Sequence, residues 1–288
     1  MIAGRVGIVG TGRVARALAL GFGRRSSTLP MMWGRTPPHG QGADSALAAR
    51  SLEEVVGQCD VIAIAVSDDA LAQVVDALAR AGPLRQGALV FHVSGGCGAA
   101  VLEPLRIRGA RTAAIHPAMT FTGDAEREVE RMAGACFAVT GSGDEAIRQS
   151  RAIVKALGGV GVVIAEDRRM LYHAALSHAA NHLVTLFAGA TRVLQAAGVA
   201  HPEPLLAPLV RASLENSIAK GFDGLSGPLL RGDANMVRGH IAALARDCPD
   251  VLPAYRTMAR ATVGELEHRG KSPAPSPLRA AIDDQQPD

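Results

Sequence analysis

The hydrophobic positions in the first half of the chain fall into short runs separated by stretches with helical spacing. Residues 6–9 read Val-Gly-Ile-Val, a short buried strand, and Ala15, Ala17, Leu18 and Leu20 then repeat as one face of a helix. Further strands are predicted at 29–33, 60–66, 88–93, 111–116, 136–140 and 160–165, with 60–66 strongly β-branched. Ser67, Asp68 and Asp69 are predicted to cap a helix through Leu71, Val74, Val75 and Leu78, and another helix is predicted over 144–157. This alternation predicts an α/β fold in which residues 1–165 form a doubly wound parallel sheet.

The pattern changes after residue 165. From Glu166 to Ala197 there is no proline and one glycine, Gly189. That predicts one helix of about 30 residues, roughly 45 Å long at 1.5 Å per residue. Gly198 is placed to end it. Helical patterns follow at 204–221, 233–246 and 249–269 with no strand signal, so residues 166–270 are expected to form an all-helical domain. Residues 271–288, with Pro273, Pro275 and Pro277 and a polar end, are expected to be a disordered tail.

The turn after the first strand carries the most specific chemistry. Gly10-Thr11-Gly12-Arg13-Val14-Ala15 is a G-x-G-x-x-A run between a predicted strand and a predicted helix, the setting of a dinucleotide-binding turn. Gly10 permits the tight turn, Gly12 lets a pyrophosphate approach the backbone, and the helix N-terminus offers it N–H groups. An NAD site places an acid about 20 residues on, at the end of the second strand. That strand runs instead into Gly34-Arg35-Thr36-Pro37-Pro38, and the first acid after it is Asp44. Arg35 is suited to pairing with a 2′-phosphate, with Thr36 adding a hydroxyl donor and Arg13 near the adenosine end. NADP(H) is therefore the expected cofactor, bound by Gly10, Thr11, Gly12, Arg13, Val14, Arg35, Thr36, Val66 and Ser67.

Composition narrows the remaining classes. The chain has 288 residues, 48% of them hydrophobic and only 3% aromatic, so aliphatic side chains must fill the core. A net charge of +3 with few aromatics and no basic run argues against nucleic-acid binding. There is no uninterrupted apolar stretch of about 18 residues, the length a membrane span needs. The first strand starts too early to leave room for a signal peptide. Cys59, Cys97, Cys136 and Cys248 lack paired spacing and read as thiols of a reducing cytoplasm, so a cytoplasmic location is expected.

In an open α/β sheet, ligands lie beyond the carboxyl ends of the strands. Ser67, Ser94, Gly95 and His116 fall at that edge, whereas His92 lies within a strand and reads as a buried core histidine. On the long helix His173, Ser177 and Asn181 are four residues apart and share one face. His178 and His182 have the same spacing, but no third ligand accompanies them and no metal is expected. Asp233 is a plausible cap of the helix that follows it, while Arg231 has no comparable structural reason and is suited to holding a substrate carboxylate or phosphate.

Several of these residues together carry a resemblance that spans nearly the whole chain. They are Gly10 to Val14, His92-Val93-Ser94-Gly95, His116-Pro117 with Phe121, Tyr172-His173-Ala174-Ala175 with Asn181, and Gly227-Pro228 with Arg231-Gly232-Asp233 and His240. In this order they resemble the Rossmann-like oxidoreductases with an uncharacterised helical C-terminal domain. Those are distant relatives of 6-phosphogluconate dehydrogenase, 3-hydroxyisobutyrate dehydrogenase and pyrroline-5-carboxylate reductase. The resemblance implies an NADP oxidoreductase, and its members similar to alternative ketopantoate reductases imply a small branched 2-oxo acid as substrate. The β-hydroxyacid dehydrogenases place a catalytic Lys three residues before an Asn on the long helix. Here that position is His178, and the only lysines are Lys155, Lys220 and Lys271.

The expectation is thus an NADPH-dependent carbonyl reductase, or the reverse dehydrogenase. His173 or His116 would protonate the alkoxide. Asn181 would orient the carbonyl, Ser94, Gly95 and Ser177 would line the substrate, and Arg231 would hold its acid group. An imine reductase of the pyrroline-carboxylate type and a non-catalytic NADP-binding sensor are the alternatives. A homodimer through the helical domain is also expected.

Overall fold

The structure, a computed structural model, describes residues 2, 4–36, 45–271 and 275–283. The chain divides into two compact units, Met1–His178 and Ala179–Asp288. The first holds eight strands: β1 (Val6–Val9), β2 (Met31–Trp33), β3 (Leu47–Ala48), β4 (Val61–Ile64), β5 (Leu89–His92), β6 (Arg111–Pro117), β7 (Cys136–Gly141) and β8 (Val160–Val163). They form one sheet in the order β3-β2-β1-β4-β5-β6-β7-β8. The expected doubly wound sheet is present, with one correction. β6 and β7 pair antiparallel, with Ile115 opposite Val139, while all other pairs are parallel.

Helices α1 (Arg13–Gly23), α2 (Leu52–Gln58), α3 (Asp68–Arg80), α4 (Glu103–Arg106), α5 (Ala125–Met132) and α6 (Asp144–Ala156) connect the strands. Alternation along the strands splits the core into two layers. Ile8, Ala63, Phe91 and Ile115 pack with Ala15, Leu18 and Phe22 of α1 and Ile153 and Val154 of α6. Val9, Ile62, Ile64 and Val90 face Val55 and Val56 of α2 and Leu71, Val75 and Leu78 of α3 on the other side. Each such buried aliphatic side chain is worth about 1.5–3 kcal/mol, and the two layers hold the sheet edge that carries the site.

Helix α7 (Arg169–Ala196) follows a 3₁₀ turn at Glu166–Arg168, so the long helix starts three residues later than its composition suggests. The first unit runs through the opening turns of α7 to His178, and Arg169 and Tyr172 make their bonds within it. Beyond α7 lie α8 (Glu203–Lys220), α9 (Pro228–Arg231), α10 (Ala234–Asp247), α11 (Leu252–His268) and α12 (Pro275–Asp283). Among the described residues no strand follows β8.

The expected disordered tail is corrected by α12. Leu278, Ala281 and Ile282 are buried against Val237 and Ile241 of α10 and Ala259 and Val263 of α11. The i, i+3, i+4 spacing of those three residues makes one apolar stripe. Pro275 and Pro277 sit in the first turn, where a missing N–H costs nothing. The rest of the tail expectation, at 272–274 and 284–288, lies outside the described residues. Two caps also differ from expectation: neither Ser67 before α3 nor Asp233 before α10 makes a side-chain capping bond. No helix among the described residues is long and apolar enough to cross a membrane.

Candidate cofactor and active site

Strand order reverses between β1 and β4, and the chain turns off both at the same edge of the sheet. Gly10, directly after β1, has φ +126°. A Cβ there would overlap the Ala65 carbonyl oxygen and lie 2.8 Å from the carbonyl carbon. Its N–H donates to the Trp33 carbonyl at 2.7 Å, which draws the end of β2 beside the turn. The fold itself therefore requires this glycine. Gly12 is different: its φ of −72° and ψ of −174° suit any residue, and a Cβ would meet no atom within 4 Å. The protein's packing gives no reason for a glycine at position 12, whereas a phosphate lying on the backbone does.

Gly12 is also the N-cap of α1, so no side chain caps the helix, and its first turn carries no acid. The opening N–H groups of α1 and the positive end of its dipole are left to the cavity. That cavity, about 600 Å³, is lined by Gly10, Thr11, Gly12, Arg13 and Val14, by Arg35 and Thr36, and by Val66, Ser67, Val93 and Phe121. All nine expected cofactor residues thus line one cleft at the reversal of strand order. Arg35 and Thr36 are exposed at the end of β2. Gly34 before them has its own reason, since a Cβ would lie 2.7 Å from Thr11 Cγ2. The residues present fit a dinucleotide with a 2′-phosphate.

A second cluster lies beyond β5 and β6. His92 is fully buried; its Nδ1 accepts from the Ser94 N–H at 3.1 Å and its Nε2 bonds the Gly98 carbonyl at 2.8 Å. Burial, reinforced by the Arg169 charge, brings its pKa down to about 4, so it is the neutral core histidine expected. Ser94 is buried, and its hydroxyl accepts from the Cys97 N–H at 3.1 Å. This bond closes the loop after β5. A Cβ on Gly95 would lie 2.5 Å from His173 Cδ2 and 3.0 Å from His116 Nε2, so two imidazole edges fix that glycine. Neither the Gly95 nor the Gly96 N–H donates to any described residue.

His116 Nδ1 bonds the Tyr172 hydroxyl at 2.9 Å, and the His116 and His173 rings meet edge to face at 5.8 Å. Burial, then the charge of Arg169, depresses the His116 pKa to about 4. The site thus favours the neutral form of His116. Ser177 is half-buried one turn beyond His173, and Asn181 is exposed. Asn181 and Arg231 belong to the second unit. Arg231 does have a structural partner, because its Nε donates to Asp233 at 2.9 Å. Among the described residues no three His, Cys, Asp or Glu side chains converge as metal ligands.

Sequence reading missed Arg169 here and gave Tyr172, a residue of the motif at 172–175, no role of its own. Arg169 is 1% exposed, yet its guanidinium has no carboxylate partner. Nε donates to the Cys97 carbonyl at 3.0 Å, Nη1 to Ala138 at 3.3 Å and Nη2 to Ser94 at 2.6 Å. The Ser94 carbonyl shares a peptide with the Gly95 N–H. A trans peptide points the two in opposite directions, so Arg169 turns that N–H away from itself. Glu166 ties the next stretch by accepting from Ala99 and Ala100 N–H at 2.8 and 3.0 Å. An acidic–basic quartet at the head of a long helix was the available signal, though it reads equally as a solvated end.

Residues 3–117 match the Rossmann-like domain family, and residues 135–262 match DUF2520, a domain of unknown function. The two matches follow one another along the chain in the order its motifs resemble. No curated protein matches it. Among solved structures, a protein of Bacteroides fragilis provisionally described as an NADP oxidoreductase is 21% identical, with TM-score 0.75 over 90% of this chain and 97% of that one. A reductive aminase from Aspergillus terreus in complex with NADPH and ethyl-5-oxohexanoate is 21% identical, with TM-score 0.70 over 96% and 99%. An imine reductase from Myxococcus stipitatus in complex with NADP+ is 17% identical, with TM-score 0.64 over 97% and 100%. At these identities the likeness is one of fold.

Proposed function

We propose that the chain is an NADP(H)-dependent oxidoreductase that reduces the carbonyl of a small 2-oxo acid of the ketopantoate type, or oxidises the matching hydroxy acid. The observation that carries this reading is the single cavity joining the glycine turn, Arg35 with Thr36, and Ser67 with Val93. The α1 amides would take the pyrophosphate, and Arg35 and Thr36 the 2′-phosphate. The cofactor, when bound, supplies or accepts the hydride. His173, whose ring meets His116 edge to face, is assigned the proton transfer to the oxygen that becomes negative. The Gly95 and Gly96 N–H groups, held without an acceptor, are assigned to the oxygens of the substrate. Arg231 is not needed for that task, being engaged by Asp233.

A second reading keeps the cofactor and changes the acceptor to an imine, favoured by the fold shared with a reductive aminase and imine reductases. The test is a fluorescence titration of the protein with NADPH and with NADH, followed by panels of 2-oxo acids and ring imines. Tenfold or stronger preference for NADPH, about 1.4 kcal/mol, and turnover on the acid panel support the first reading. Turnover on imines alone selects the second, and binding without any turnover leaves a nucleotide-binding protein with no redox role. Failure to bind either nucleotide overturns both readings.

The homodimer is proposed on the helical unit. Leu183, Val184 and Leu186 of α7 and Leu205, Leu209, Leu214 and Ile218 of α8 are exposed, Ile218 to 77%. A cavity of about 660 Å³ in the same unit is lined by Leu186, Val193, Leu205, Leu209 and Tyr255 among others. Exposed apolar side chains clustered on two helices beside an apolar cavity suit an interface, and a second copy is the proposed occupant. Sedimentation equilibrium reading one chain's mass at micromolar concentration would refute this. The free cysteines support the proposed cytoplasmic location.

A further inference from the structure

The edge beyond β5 and β6 collects three groups that can carry positive charge, His92, His116 and His173, around one that always does, Arg169. Asp68 of α3 is the nearby acid that acts on His116. Tyr172 and Arg169 sit one turn apart on α7 with the guanidinium carbon 5.6 Å from the phenol ring centroid, and the Tyr172 ring stands edge-on to His116 at 5.7 Å. Burial raises the Tyr172 pKa, so the hydroxyl keeps its proton. A phenol O–H is a stronger acid than the N–H of a neutral imidazole, and a bare imidazole nitrogen is a stronger base than a phenol oxygen. The 2.9 Å bond between them is therefore best made with Tyr172 donating to Nδ1.

We propose that Tyr172 is a positioning residue that fixes His116 as the neutral tautomer with its proton on Nε2, making His116 a hydrogen-bond donor at the Ser94–Gly96 turn. Which nitrogen of a histidine carries the proton is set by the bond the other one makes. Arg169 reinforces the arrangement by placing a fixed positive charge behind the ring, against which a second charge on His116 would have to form. Two unlike histidines result within one cluster. His173 is left to exchange a proton, and His116 donates a hydrogen bond without losing its proton. The ligand class that suits an Nε2–H beside the Gly95 amide is an electron-rich oxygen, a carbonyl or carboxylate. The use of that donor on a substrate oxygen rests on the reductase reading, whereas the tautomer itself does not.

The test is ¹⁵N NMR of the histidine-labelled full chain, with His116 assigned through His116→Gln, and the same spectra of Tyr172→Phe. The expected result is a His116 signal showing Nε2 protonated and Nδ1 bare, unchanged from pH 8 to pH 5.5. In Tyr172→Phe that preference should fall to a mixture of tautomers while NADPH affinity stays within twofold. On the best substrate of the acid panel, kcat should drop at least about fivefold with little change in KM. A proton on Nδ1 in the native chain, a His116 that charges above pH 5.5, or a tautomer unaffected by losing the hydroxyl would each overturn the proposal. If NADPH does not bind, the reductase reading fails while the tautomer result still decides the role of Tyr172.

Discussion

Adding one methyl group at either of two glycines two residues apart should have opposite consequences. In Gly12→Ala the new Cβ meets nothing within 4 Å, and the backbone angles are ordinary. Stability should then change by no more than about 1 kcal/mol, the balance between a poorer N-cap and a less flexible unfolded chain. The methyl would stand where the pyrophosphate must lie. Losing one hydrogen bond to a charged group costs about 1.5–3 kcal/mol, roughly 10- to 100-fold in NADPH affinity. In Gly10→Ala the new Cβ overlaps the Ala65 carbonyl, part of the backbone that pairs β4 with β1, at a φ of +126°. Backbone strain of about 1–3 kcal/mol adds to overpacking of about 1–3 kcal/mol. For a unit of this size that lowers the melting midpoint by roughly 5–20 °C. NADPH titration and thermal melts of both variants separate the effects. A Gly12→Ala protein that binds NADPH like the native chain would refute the assignment of this turn to the pyrophosphate, and one that melts far earlier would refute the open face at Gly12.

Three further outcomes follow from the same geometry. Arg35→Ala should weaken NADPH at least about tenfold and leave NADH within a factor of about two, since a 2′-phosphate pairing is worth at least about 1.4 kcal/mol; equal losses for both nucleotides would show that Arg35 does not read the phosphate. His173→Ala should cut turnover at least about tenfold, and toward a hundredfold if it is the sole proton donor, with NADPH affinity unchanged; undiminished turnover removes His173 from the mechanism. The buried histidines make the fold acid-sensitive. His92 and His116 stay neutral down to about pH 4 when folded, but in the unfolded chain they charge near the ordinary value of 6.5. Above pH 6.5 they cost nothing. As the pH falls from 6.5 toward 4 the unfolded chain takes up protons that the folded one does not, and stability drops by about 1.4 kcal/mol per pH unit for each ring. The denaturation midpoint should therefore fall between pH 7 and pH 5, before carboxylates titrate; a flat profile would contradict the burial of both rings.

What was legible in the sequence was local. The glycine turn, the β-branched strand ending at Val66 and helices α1, α3 and α6 each declare themselves through periodicity and turn residues within a dozen positions, and the structure places them within a few residues. Helix α2 was not predicted, although Ser51-Leu52-Glu53-Glu54 is a capping sequence in which Ser51 accepts from the Glu54 N–H. Strand direction was not legible, because β7 has the same apolar composition whether it runs with β6 or against it. Nor was α12, whose three apolar residues form a helix only because α10 and α11 supply the surface that buries them.

Arg169 marks the limit most clearly. Next to Glu166, Asp167 and Arg168 it reads as one of several solvated charges at a helix start, and nothing nearby in sequence distinguishes it. Its partners are carbonyls up to 75 residues away. A guanidinium is costly to bury without a carboxylate, and here the hydrogen bonds it makes all go to backbone oxygens, with the Tyr172 ring beside it. A fold that needed only packing at this position would be served by Leu or Met at lower cost. What a buried cation adds is a fixed charge and a rigid fork of donors. Both are directed at the loop that presents the Gly95 N–H and at the Tyr172–His116 pair. The residue least readable from sequence is thus the one whose bonds reach the loop after β5, the end of β7 and the Tyr172 ring together.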